Sequence, residues 1–117
     1  NSKQELKIAA FQLHQVAERL YSCLLLVLTN YKPNTHNLTR LNALAILQDE
    51  RFAEIFPQDS RFNRRRFQLL KRAYVDARYS AHYHITEDEL TWLSERVHRL
   101  EALTEQFCWA KIESFED

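Results

Sequence analysis

Apolar residues recur at helical spacing along most of the chain. Leu6, Ala9, Ala10, Leu13, Val16, Ala17, Leu20, Leu24, Val27 and Leu28 form one stripe, and Ser2 with Glu5 is a capping box, so a first helix is predicted over residues 2–30. Its second half, residues 23–28, is apolar nearly all round, as befits the central helix of a bundle. Residues 31–34, carrying Pro33, end it. Asn37 caps a short second helix with Leu38, Leu41, Leu44 and Ala45 on its buried side, reaching about Gln48. Phe52, Ile55 and Phe56 are spaced for one or two turns on the core before Pro57 interrupts. Asp59 or Ser60 opens a third helix whose Phe67, Leu70, Tyr74 and Ala77 keep one face, fraying after Arg78. Thr86 with Glu89 is a second capping box. Leu90, Leu93, Val97, Leu100, Leu103 and Phe107 then carry a long last helix to about Ile112. Short connections make an all-α assembly of four antiparallel helices the expected fold.

Composition narrows the chemistry. The 117 residues suit one domain, 1–117, and 45% hydrophobic content fills one core. There is no glycine and only Pro33 and Pro57, so loops of the GxxxxGK[ST] and GxGxxG kinds are excluded, and with them P-loop and Rossmann enzymes. Cys23 and Cys108 lie far apart without CxxC spacing, which excludes a zinc knuckle and fits a reduced, cytoplasmic setting. The apolar run 24–28 is too short to span a bilayer, and Lys3, Glu5 and Lys7 do not suit a signal peptide, so no membrane partner is expected. A start at Asn1 with no methionine anywhere reads as one piece of a longer protein, its C-terminal part.

Net charge is zero, yet it is unevenly spread. Residues 61–78 carry Arg61, Arg64, Arg65, Arg66, Lys71, Arg72 and Arg78 against Asp76 alone, and the acids concentrate from Glu87 onward. The plainer account is mutual attraction of the last two helices; the other is a basic footprint for phosphate. Arg64, Arg65 and Arg66 point in different directions on a helix, so they cannot all meet acids.

Candidate chemistry concentrates in residues 73–85, AYVDARYSAHYHI. Arg78 keeps its charge at any working pH, while histidines such as His82 and His84 exchange protons near neutrality, a set that can grip a phosphate and move a proton. If the third helix persists, Tyr74, Arg78 and His82 share a face; if it breaks after Ser80, His82 and His84 project together from an extended link. A hydrogen-bonded helix end would use the same residue types. His14 and Glu18 stand at i, i+4 beside an apolar face. A zinc pair would need a third ligand, and none is visible, so a buried His–Glu hydrogen bond is the plainer reading and no metal site is expected. His36 and His98 read as surface residues, and Glu87, Asp88 and Glu89 as acids favoured in a helix's first turn.

The segments FQLHQVAERLY (11–21), LLLVLTNYKPNTHNL (24–38), LLKRAYVDARYSAHYHIT (69–86) and ELTWLSERV (89–97) together resemble the HEPN domain family, and the nearest subgroup resembles the bacterial form that follows a nucleotidyltransferase domain. The resemblance implies a four- to five-helix up-and-down bundle, frequent homodimers, and binding of nucleotide or RNA. It leaves enzymatic activity open. Ribonuclease members carry an arginine, four to six further residues and a histidine, a pattern that Arg78 and His84 fit with five between; Tyr79 and Thr86 depart from the residues usual beside that motif. On this reading Arg78, His82 and His84 hold nucleotide or RNA phosphate, Tyr74 and Tyr83 stack bases, and His14 and Glu18 line the same groove. ATP or GTP is the implied ligand, no cofactor is required, and the transferase motif itself is absent from these residues. The rivals are a metal-independent ribonuclease using Arg78 and His84, and a plain dimerisation domain.

Overall fold

The computed structural model describes residues 2–115, and every regular element among them is helical: α1 Lys3–Thr29, α2 Leu38–Gln48, a 3-10 turn Glu50–Glu54, α3 Arg61–Arg72, α4 Asp76–Tyr79 and α5 Glu87–Glu113. The caps read from sequence are all present. Ser2 and Glu5 exchange backbone and side-chain hydrogen bonds, as do Thr86 and Glu89, while Asn37 accepts from Thr39 and Arg40 and Ser60 accepts from Asn63. Phe52, Ile55 and Phe56 are buried as expected. Among the described residues no helix is long and apolar enough to cross a membrane.

α1 ends at Asn30, whose φ of 61° lies in the left-handed region. A chain without glycine must use asparagine there, since its short polar side chain tolerates that conformation. Asn30→Val is therefore expected to cost about 1–2 kcal/mol, read as a lowered urea midpoint with unchanged slope.

The route after Asn30 sets the topology. Residues 31–37 carry no helix and turn back along α1, bringing His36 to Glu18. α2 then rises beside α1 in the same sense, not antiparallel as a short connection implied, because residues 31–37 first carry the chain back: the Tyr21 hydroxyl donates to Asn42 Oδ1 at 2.9 Å, and Leu25 and Thr29 share a hollow with Leu44 and Leu47. α5 rises with them as well. Leu13 lies beside Leu90 and Ser94, Val16 beside His98 and Glu101, and Cys23 beside Cys108. The antiparallel arm is α3 and α4. Arg65 pairs with Glu89 and Arg66 lies over Trp92, whereas Arg72 farther along lies over Tyr83, which precedes α5.

The third helix does not run unbroken through Arg78. Ala73 N–H donates to Leu70 O and Val75 N–H to Arg72 O, each three residues back, so α3 closes in a tighter turn before α4 begins. Leu69 O, which a continuing α-helix would have paired with Ala73 N–H, is taken instead by the buried Tyr83 hydroxyl at 2.6 Å. That bond ties the link 80–86 to α3. The apolar spacing of Leu70, Tyr74 and Ala77 survives the break because a 3-10 turn shifts the register only slightly, so the sequence pattern did not reveal it.

The opposite charges of α3 and α5 meet sparingly. Arg65–Glu89, at 3.4 Å, is the ion pair between them among the described residues. Arg64 donates to Gln58 O, and the Arg66 guanidinium packs over Phe62 and Trp92. As expected, the three adjacent arginines have three different environments.

Candidate functional site

Three elements converge on the Tyr74 ring. α1 brings Phe11, at 6.2 Å between ring centroids, and His14, at 5.3 Å; residues 31–37, the α1–α2 link, bring His36, stacked at 4.5 Å with 14° between planes. Tyr74 itself sits in the corner between α3 and α4, and α4 adds Arg78. The Arg78 guanidinium lies 4.5 Å from the Phe11 ring centre, 5.2 Å from Tyr74 and 5.0 Å from Tyr79, while Nε donates to Tyr74 O at 2.9 Å. One N–H is thus spent on holding the side chain. The residue as a whole stays exposed, so its fixed charge reaches solvent from an aromatic cradle.

After α4 the chain alternates, as the broken-helix alternative expected. Tyr83 and Ile85 face inward and are buried, while His82 and His84 face outward and are exposed. His82 N–H donates to Ser80 Oγ at 3.1 Å, closing the turn on itself, and Lys7 Nζ on α1 donates to Ser80 O, tying its first residue to α1. Tyr83 is a correction to the proposed stacking pair. With 0% exposure, and burial raising its phenol pKa well above the ordinary value, it is a core residue whose hydroxyl is committed to Leu69. Tyr74 is corrected in part, because His36 already occupies a face of its ring.

For His14 the burial agrees with the plainer reading, while its hydrogen bond to Glu18 and its place in a ligand groove are corrected. His14 is fully buried, so it offers no surface to a ligand, and its Nδ1 lies 3.8 Å from Glu18 Oε1, too long for a hydrogen bond. Neither ring nitrogen has a hydrogen-bond partner. Burial holds the imidazole pKa below the ordinary 6.5, with the Glu18 carboxylate opposing. Glu18 Oε2 instead bonds His36 Nδ1 at 2.8 Å. His36, which the sequence reading left at the surface, is the residue it missed. Its side chain is 56% exposed, yet it is fixed by Glu18 on one side and Tyr74 on another. The available signal was that His14 and Glu18 lacked a third partner. His98 is exposed, as expected, with Nδ1 3.8 Å from Glu101. Among the described residues no three His, Cys, Asp or Glu side chains are grouped to hold a metal ion.

Between the link and the α3–α4 corner lies a hollow of about 330 Å³, walled by His36, Asn37, Lys71, Arg72, Tyr74, Val75 and Asp76. Arg72 and Asp76 pair across its edge at 2.9 Å. A separate hollow of about 360 Å³ lies between α1, residues 31–35 and α2, lined by leucines, threonines and Tyr31 with Arg40 at its wall and none of the sequence-predicted site residues.

The arrangement can therefore do two things: present a permanent cation in an aromatic cradle, with two solvent-facing imidazoles four and six residues farther along the chain, and offer a stacked aromatic surface next to the cation. In comparison with known proteins, the HEPN domain family model matches residues 2–107, nearly the whole chain. No curated protein matches it.

Proposed function

Because the chain belongs to the HEPN domain family, we propose that it is a nucleotide- or RNA-binding module in which Arg78 holds phosphate, assisted by His82 and His84. The observation that carries this reading is the placement of Arg78: an exposed guanidinium fixed by Tyr74 O and by three aromatic rings, just before the turn from which both histidines face solvent. A cation immobilised in advance loses less side-chain freedom when an anion arrives, and charge-assisted hydrogen bonds to phosphate are among the stronger polar contacts.

Resemblance to the transferase-linked subgroup extends the proposal. The chain then acts beside a nucleotidyltransferase domain, in cis or in trans, as a cytoplasmic homodimer, with ATP or GTP as ligand and the transfer chemistry residing in that partner. Calorimetric titration with ATP and GTP, with and without magnesium, tests the binding reading. Wild type is expected to saturate, and Arg78→Ala to weaken affinity about tenfold or more with its helical circular dichroism intact. Unchanged affinity in Arg78→Ala would remove Arg78 from the site.

A second reading is favoured by one observation: Arg78 and His84 are both exposed, at the spacing of ribonuclease members. In a metal-independent ribonuclease, His84 would move the proton and Arg78 would stabilise the charged phosphorane. That reading predicts RNA cleavage that resists EDTA and disappears in His84→Ala. Neither binding nor cleavage, together with a stable dimer in sedimentation, would leave a dimerisation domain.

A further inference from the structure

We propose that the hollow between the α1–α2 link and the α3–α4 corner seats a nucleoside 5′-phosphate unit, its base on the outer face of His36 and its phosphate against Lys71. The inference rests on the nucleotide- or RNA-binding reading and places the base and the second cation, which that reading leaves open. His36 is backed on one face by Tyr74 at 4.5 Å and held in orientation through Nδ1 by Glu18 at 2.8 Å, yet remains 56% exposed. A ring fixed from behind and open in front is a prepared stacking surface, because every base presents a π-face and the protein side needs no ordering.

The rest of the hollow agrees in size and charge. About 330 Å³ is at the lower end of small-molecule sites, enough for one nucleotide unit. Asp76 is neutralised by Arg72, whereas Lys71 has no carboxylate partner among the described residues, so the net charge of the wall is positive. Asn37, the cap of α2, is also in the wall, and the positive end of that helix adds to the attraction for phosphate. Val75, 51% exposed, supplies an apolar edge for ribose or base.

Titration of wild type, His36→Ala, His36→Phe, Lys71→Ala and Arg78→Ala with AMP, adenosine, ribose 5-phosphate and a hexa-adenylate RNA tests this. His36→Ala is expected to weaken AMP about tenfold, and His36→Phe, which keeps a ring, to stay within about threefold of wild type. Lys71→Ala should weaken AMP and spare adenosine, and ribose 5-phosphate should lose to AMP in wild type. If the hexanucleotide shows these losses and AMP does not bind, the unit belongs to an RNA chain and the seat stands. If AMP or RNA binds and Arg78→Ala weakens it while His36→Ala and Lys71→Ala do not, the seat is overturned and the Arg78 reading survives. The reverse pattern keeps the seat and removes Arg78. Wild type binding neither AMP nor RNA overturns both.

Discussion

Truncating Tyr83 to alanine is expected to destabilise the domain by about 3–5 kcal/mol, because it deletes a fully buried ring and strands the Leu69 carbonyl at the end of α3. Whole domains are stable by only about 5–15 kcal/mol, so the variant should melt far below wild type in a thermal scan. Tyr83→Phe separates the two contributions. It keeps the ring and removes the hydrogen bond, and should cost only about 1–2 kcal/mol. Equal losses in the two variants would mean that the hydroxyl, not the packing, holds this link. The link also matters to function, since Tyr83 is the inward anchor between the outward His82 and His84. Tyr83→Phe should therefore leave ligand affinity close to wild type if its hydroxyl contributes only to stability.

The second large effect is a loss of stability in mild acid traced to His14. Its folded pKa lies below the ordinary 6.5 because burial penalises the imidazolium. Above pH 6.5 the folded and unfolded chains both hold it neutral, and its contribution is complete. As pH falls through 6.5 the unfolded chain takes up a proton that the folded chain refuses, so stability falls at up to about 1.4 kcal/mol per pH unit until the lowered folded pKa is reached. Glu18 and, after it, the His36 backbone favour the charged form and limit the depth of this window, while the charge of the His36 ring opposes it less strongly. Asp49, whose pKa is lowered chiefly by its hydrogen bonds with Arg51, acts only below the ordinary carboxylate range and leaves the window clear. His14→Leu should flatten the urea-midpoint profile between pH 6.5 and 5.5. An identical slope in wild type and variant would show that His14 is not the acid-sensitive group.

Helix starts were legible because capping is local: Ser2 and Glu5, Asn37, Ser60, and Thr86 and Glu89 each carry their signal within a few residues. The break before α4 was not, since nothing among residues 73–75 is a helix breaker and the cause, Tyr83 reaching Leu69, acts from farther along the chain. Arg78, His82 and His84 were visible as chemistry and are exposed where a ligand could reach them. The fate of Tyr83 was not visible, because an aromatic in a mixed segment carries no mark of which way it faces, and the expected burial of His14 did not reveal that Glu18 would turn from it to His36. His36 was hidden for a different reason. Its partners, Glu18 and Tyr74, belong to two other elements and meet it only because the chain after Asn30 doubles back.

The pairing of α1 with α5 also bears on how the molecule comes into being. The apolar stripe of α1 around Leu13 finds Leu90 near the start of α5, so the first helix of this domain to leave a ribosome is covered by the last one described in it. Contacts between sequence-distant segments form slowly, and apolar surface left wet meanwhile invites association with other chains. A nascent chain lacking α5 should therefore be a client for chaperones and a substrate for proteases, and completion of α5 should be the event that commits the domain to its fold.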